Sequence, residues 1–325
     1  MKLGSHIKKV FIFDTNAYRV MTFGLGLEEV RTKTRLLCHT EDKIGCCALA
    51  HPIVVWELFA HLVDVADPAY KHCLNALVAL GVHTASRDQP SGGICLIGDA
   101  HSTVCQQLFG ISPPGYLQGL QNLGSHVSHI VNHAPDISDP KVQDNIQNLA
   151  RGMAAKEKEW LKGMEDVLDR FSPGIAKKVF GGSNDSEALK RVRTHFASSA
   201  FFDAWANYIV ISNAAEVGIT NLTIEQVKAK VDLVRKLFPV PFRLMCAMLE
   251  KLATPRPANL ANPKHKRWNF VWDSMISFSI GNGTIEGVPV YMVTDDGEIV
   301  EAAKAAGFDD QVLSLDSYLK QVDMK

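Results

Sequence analysis

Four acidic residues in this sequence are placed where they could do chemistry: Asp14, Glu57, Asp273 and Asp296. Asp14 ends the apolar run "KKVFIFDTN". Glu57 interrupts "HPIVVWELFAHLVD", Asp273 interrupts "NFVWDSMISFSI", and Asp296 follows "VPVYMVT". Each has an ordinary structural use. Asp14 could close an Asx turn, Asp295 or Asp296 could cap a helix, Asp273 could answer a helix dipole, and Glu57 could pair with His61 one turn on. As a set they ask for more, because Glu57 and Asp273 both sit in strongly apolar sequence and burying an unpaired charge costs on the order of several kcal/mol. Gathered carboxylates repel and raise one another's pKa. A hard divalent cation, Mg²⁺ or Mn²⁺, removes that conflict, taking oxygen ligands and keeping several waters. Such a site polarises a phosphoryl oxygen and lowers the pKa of an attacking water. The chemistry expected is metal-assisted phosphodiester hydrolysis.

The elements that must position these acids lie at the two ends of the chain. "KKVFIFD" reads as a buried strand, Leu25 to Asp42 as helix, and "GCCALA" (45–50) as a second strand running into a helix with Pro52 in its first turn. Near the other end, 269–280 reads as a helix, Gly281, Gly283 and Gly287 punctuate a loop, and 288–294 is a strand. A helix follows, with Asp295 as N-cap, Glu298 three residues later and Gly307 as its stop. "QVLSL" and "DSYLKQV" close as a short strand and a helical turn or two. Strands alternating with helices imply a parallel sheet covered by helices, and ligands gather at the carboxyl ends of such strands.

Between Ala69 and Leu252 the pattern is helical apart from "ICLI" (94–97), a stray strand. Val142, Ile146, Leu149 and Met153, resumed by Trp160, Met164, Leu168 and Phe171, have the spacing of one long helix. "NDSEALKRVRTHFASSAFFDAWANYIVIS" reads as a second, with Asn184 and Glu187 as a capping box. A third begins at Thr223, boxed by Gln226 and stapled by Leu222 and Val227. Thr254 to Pro263 reads as a connector. The expectation is an α/β domain in two pieces, 1–75 and 255–325, split by an all-helical insertion over 76–254.

With 325 residues, a net charge of −1 and a near-neutral pI, the chain does not advertise a nucleic-acid partner globally, so any basic surface must be local. Lys264, Lys266 and Arg267, with Trp268 beside them, form such a patch just before Asp273. They could grip phosphate while the indole stacks on a base. Arg19, one turn past Asp14, could balance the acids or touch phosphate. "KRVRTH" (190–195) reads as a solvated face. His126, His129 and His133 share helical spacing and read as ordinary surface or core histidines rather than a zinc set. Seven cysteines without a CxxC pair suggest reduced thiols and a cytoplasmic protein. No run is long enough to span a bilayer, and the start lacks a signal peptide's apolar core.

"VFIFDTN", "PIVVWEL", "WDSMISFSI" and "VYMVTDDGEI" together resemble the PIN-domain ribonucleases, in the family's order of acids: strand end, helix, helix, strand end. The resemblance covers about residues 7–75 and 264–322. It implies a three-layer α/β/α fold around a parallel sheet of about five strands, with Asp14, Glu57, Asp273 and Asp296 as ligands to one or two Mg²⁺ or Mn²⁺ ions. Asn16 and Thr294 match polar positions that support the site, with Thr15 beside them. Asp296 is preferred to Asp295 as fourth ligand, because it completes the family's threonine-x-aspartate pattern. The small toxin-like members keep their second and third acids far closer in sequence than Glu57 and Asp273. "TDDGEIVEAAKAAGF" also looks like the last motif of haloacid-dehalogenase-like phosphatases, but those place a second aspartate where this chain has Asn16.

The function expected is a metal-dependent endoribonuclease acting on RNA, of the kind that serves bacteria as toxins or in anti-phage defence. Two alternatives are a catalytically weak RNA-binding or regulatory scaffold on the same fold, and a phosphatase. The insertion is expected to supply specificity, contact with a protein inhibitor or other partner, or homo-oligomerisation.

Overall fold

The structure, a computed structural model, describes residues 4–85, 93–137, 139–181, 186–253, 270–281 and 284–324. Lys9–Phe13 forms strand β1. Val10, Phe11, Ile12 and Phe13 are all fully or almost fully buried, so both faces of β1 are covered. This is why its sequence is a continuous apolar run and not an alternating one. Helices α1 (Thr15–Met21) and α2 (Leu27–Ile44) follow, then strand β2 (Cys46–Ala48) and helix α3 (Pro52–Ala60). Pro52 lies in the first turn of α3, where its missing N–H is not needed.

Nine helices come next in the described chain: α4 (Tyr70–His83), α5 (Ala100–Phe109), α6 (Tyr116–His133), α7 (Pro140–Phe171), α8 (Ile175–Gly181), α9 (Ser186–Phe196), α10 (Ser199–Glu216), α11 (Ile224–Leu237) and α12 (Pro239–Leu252). The chain then returns to the sheet through α13 (Phe270–Ile276), a 3-10 turn (Ser277–Ser279), β3 (Thr284–Ile285) and β4 (Val288–Val293). Helix α14 (Gly297–Ala306), β5 (Val312–Leu313) and α15 (Leu315–Gln321) complete it. The molecule is mostly helical, with one small mixed sheet of five strands.

The order across the sheet is β2-β1-β4, all parallel, with Phe11 opposite Ala48 and Phe13 opposite Val293. The far edge of β4 is shared. β5 pairs with its end in parallel, and β3 with its beginning in antiparallel. The sheet is therefore mixed where the sequence suggested parallel strands only. The glycine-punctuated loop holds a tight hairpin whose turn is Glu286-Gly287, both at positive φ, and a two-residue loop of that hand matches strand twist. "ICLI" adds bridges rather than a strand: Leu96 to Ala50 in parallel, beyond the end of β2, and Ile94 to Ala85.

Phe11 and Phe13 point to one face of the sheet. Phe13 meets Tyr18 of α1 and Tyr318 of α15 at ring separations of 5.2 and 4.8 Å, and Phe11 meets Tyr318 at 5.1 Å. One connected core runs from these strands into the helices of 76–254. The boundary expected at 75/76 falls inside α4, which packs on α1 and α2. The long helix over 142–171 is present as α7, and the capping box of Thr223 and Gln226 is formed in full. The single helix expected from Asn184 through Ser212 is two. Ser198 breaks it, its hydroxyl accepting from the Phe201 N–H to cap α10. Asn184 lies outside the described residues. Asp296, not Asp295, caps α14, and Gly307 ends that helix at φ 78°, a conformation suited to glycine.

Candidate metal centre

The strand ends place the first acid and its neighbour side by side. The Asp14 N–H donates to the Val293 carbonyl at 3.1 Å, and the Thr294 N–H to that of Leu313 at 2.9 Å. The backbone ladder thus carries on one residue past β1 and β4, at the edge where parallel sheets bind ligands. Asp14 Oδ1 caps α1 by accepting from the Ala17 N–H at 2.5 Å, and Oδ2 accepts from the Thr294 hydroxyl. These two residues, 280 positions apart, tie the two ends of the chain at this edge. Thr294 Oγ1 in turn accepts from the Asp296 N–H at 3.0 Å. Asp296 Oδ1 accepts from the Glu298 and Ile299 N–H groups.

The two helix-borne acids come to the same edge. Helix α13, which carries Asp273, packs against α3, which carries Glu57. The Thr15 hydroxyl donates to Glu57 Oε2, linking α3 to the start of α1. Electrostatics register the convergence. Burial raises the Asp14 carboxyl to about 6, against the hydrogen bonds from Thr294 and Ala17, and the charges of Asp296 and Asp295 push it further. Burial raises Glu57 to about 7, opposed by the Thr15 bond and by Arg19, and reinforced by Asp14 and Glu157. Asp273 is driven well above the carboxylate range, first by burial and then by Asp296, Glu57 and Asp14 in turn. Asp273 thus feels each of the other three acids expected from the sequence, Glu57 feels Asp14, and Asp14 feels Asp296.

The donor set fits a hard divalent cation. It is all oxygen, it is crowded with like charge, and Asp273 accepts no hydrogen bond among the described residues. The four acids do not draw any three ligand oxygens within 4.8 Å of one another among the described residues. As placed, the four acids would hold an ion between them partly through water.

The remaining expected residues divide. Thr15 and Thr294 hold acids of the site directly. Asn16 is exposed and makes no hydrogen bond to the cluster among the described residues. Asp295 is exposed and ranks behind Asp296 in its effect on Asp14. Arg19 is half-buried, and its positive charge favours the ionised form of Glu57. Lys264, Lys266, Arg267 and Trp268 lie outside the described residues. Of the histidines, His126 and His133 spend Nδ1 on the carbonyls of Asn122 and His129, one turn back.

One acid at the site was not expected. Glu157, on α7, accepts from the Trp272 indole N–H at 3.0 Å, and its charge raises Glu57. A helix from the middle of the chain thus adds a carboxylate bonded to Trp272 and close enough to act on Glu57. "KEKEWLK" reads as a solvated charged face, and the only sequence signal was the helical register linking Glu157 to Met153 and Met164. None of the seven cysteines is in a disulfide, and among the described residues no helix is long and apolar enough to cross a membrane. No family model, curated protein or solved structure matches this chain.

Proposed function

We propose that the carboxylate cluster binds one or two Mg²⁺ or Mn²⁺ ions and that the protein is a metal-dependent endoribonuclease on a PIN-like, three-layer α/β/α fold. One observation carries the reading. Acids from both ends of the chain gather at the carboxyl edge of a parallel β2-β1-β4 unit, and among the described residues none donates a hydrogen bond to Asp273. A structural role for these acids would be expected to supply donors or cations to each. No lysine or arginine is among the causes that shift Asp14 or Asp273, whereas Arg19 lies near Glu57 and Lys251 is paired with Glu298.

A bound divalent ion would supply Lewis acidity toward a phosphodiester and a water of lowered pKa. The chain's own residues do the positioning. Asp14, Glu57, Asp273 and Asp296 would hold the ion. Thr294 fixes the rotamer of Asp14 and, through the Asp296 N–H, the start of α14. Thr15 fixes Glu57. Such locked donors keep the site in place before substrate arrives, which is where much of the catalytic advantage of an electrostatic site lies. RNA as the substrate, and a toxin or anti-phage setting, rest on the family resemblance of "VFIFDTN" and its three companion motifs.

The test is cleavage of a mixed-sequence RNA by the full chain in Mn²⁺, against Asp14→Asn, Asp273→Asn and EDTA. Loss of cleavage in all three, with unfolding transitions retained, is expected. Equal cleavage by wild type and both variants would sink the assignment. Mn²⁺ binding by the wild type without cleavage of any nucleic acid would favour the scaffold reading. Turnover of small phosphate esters would favour the phosphatase.

A further inference from the structure

Behind the carboxylate edge lies a second polar cluster that the proposed function does not use. Cys38 and Glu41 stand one turn apart on α2, and His83 ends α4. One ligand atom from each lies within 4.8 Å of the other two. His83 Nε2 and Glu41 Oε2 are 3.0 Å apart. The Glu41 and His83 side chains are 1% and 0% exposed, whereas Cys38 is half-buried and gives the cluster a route to solvent.

The outer atoms of two of these groups are held by tyrosines. Tyr318 of α15 donates its hydroxyl hydrogen to Glu41 Oε1 at 2.7 Å, and the Tyr18 hydroxyl of α1 lies 3.1 Å from His83 Nδ1. Burial, with Glu41 and Cys38 nearby, pushes the Tyr18 hydroxyl well above its usual range, so it stays a neutral hydrogen-bonding group. Glu41 has no lysine or arginine partner among the described residues. Its charge must be met by a proton or by a cation inside the cluster.

We propose that Cys38, Glu41 and His83 form a binding site for zinc or a similar thiophilic divalent cation, separate from the carboxylate edge. Sulfur, imidazole nitrogen and carboxylate oxygen are a zinc donor set, and three protein ligands leave a fourth position for water. The tyrosines match the outer-shell arrangement that orients metal ligands, with the second atom of the imidazole and of the carboxylate each fixed by a hydrogen bond. Charge also closes. A thiolate, a carboxylate and a neutral imidazole around Zn²⁺ sum to zero, which suits a buried site. On binding, two protons leave to solvent, that of the Cys38 thiol and the one that Glu41 and His83 share in the empty cluster. His83 carries its hydrogen on Nδ1, donating to the Tyr18 oxygen, and Nε2 faces the metal. The site would clamp α2 to α4. Through Tyr18, one turn beyond Asp14 and Thr15, it would also seat α1, whose first residues hold the carboxylate edge.

The experiment loads the chelator-stripped full chain with Co²⁺ and reads the thiolate-to-cobalt charge-transfer absorption, then titrates Zn²⁺ against a competing chelator. One equivalent of sulfur-ligated cobalt, displaced by zinc, is expected in wild type and in Asp14→Asn. The absorption should vanish in Cys38→Ser. Tyr18→Phe keeps every ligand and removes only the hydroxyl at His83, and should weaken zinc about 10-fold or more. It therefore answers even if Cys38→Ser does not fold. Absence of the absorption in wild type, its persistence in Cys38→Ser, or unchanged zinc affinity in Tyr18→Phe would overturn the proposal. Because Asp14→Asn is expected to keep the zinc site and lose the nuclease, failure of either reading leaves the other standing.

Discussion

Asp14→Asn should make the metal-free protein more stable at neutral pH while removing its activity. The wild-type carboxyl is raised from 3.8 to about 6, with burial as the leading cause. The folded state therefore binds a proton more tightly than the unfolded state. Stability is highest below about pH 4, falls as pH rises toward 6, and stays lower above it. A rise of that size corresponds to about 3 kcal/mol at pH 7 to 8. Asparagine carries no charge and escapes this loss. Its Oδ1 can still accept from the Ala17 N–H, but its amide cannot accept from the Thr294 hydroxyl, which costs about 1 kcal/mol. The balance is a gain of about 2 kcal/mol at pH 7.5 in EDTA, turning to a loss of about 0.5 kcal/mol near pH 4. Urea unfolding of both proteins at the two pH values measures it. Saturating Mn²⁺ should reverse the order at pH 7.5, since a ligand at 100 times its Kd stabilises the native state by about 2.7 kcal/mol. A variant less stable than wild type by the same amount at both pH values would refute the reasoning, because Asp14 would then carry no burial penalty.

Three other changes probe the site and its frame. Glu157→Gln keeps an acceptor for the Trp272 N–H but removes a charge that raises Glu57, so the acidic limb of the pH–rate profile should move to lower pH; an unmoved limb would place Glu157 outside the site's electrostatics. Gly281→Ala should destabilise the fold by about 2 to 4 kcal/mol in thermal or urea unfolding, because Gly281 sits at φ +139° and an added Cβ would lie 2.3 Å from the Leu237 carbonyl oxygen. Ser198→Ala should cost about 1 kcal/mol by the same assay, through loss of the cap that starts α10.

The parts legible in the sequence were those written in local chemistry. β1 announced itself as an apolar run ended by "DTN", α14 by an aspartate and a glycine at its two ends, and α11 by a capping box. The four acids that gather at the sheet edge stood out because Glu57 and Asp273 break apolar sequence, and because Asp14 and Asp296 follow strands. The misses have physical reasons too. The α9–α10 break was hidden because apolar residues continue on both sides of Ser198, so periodicity gave no stop. β3 is two residues long and its turn places Glu286 at positive φ, which no turn preference for glutamate would suggest. Glu157 looks solvated in a lysine- and glutamate-rich stretch, and only tertiary packing brings it to Trp272. The Tyr18–His83–Glu41–Tyr318 network joins four elements across the whole chain, and nothing local marks any of its members.

The most direct measurement is a crystal of the full chain soaked in Mn²⁺ and read by anomalous scattering at neutral pH. The account predicts one or two peaks within coordination distance of oxygens from Asp14, Glu57, Asp273 and Asp296, lost in Asp14→Asn. An empty carboxylate edge in Mn²⁺-saturated crystals, or a peak there that Asp14→Asn leaves unchanged, would contradict it.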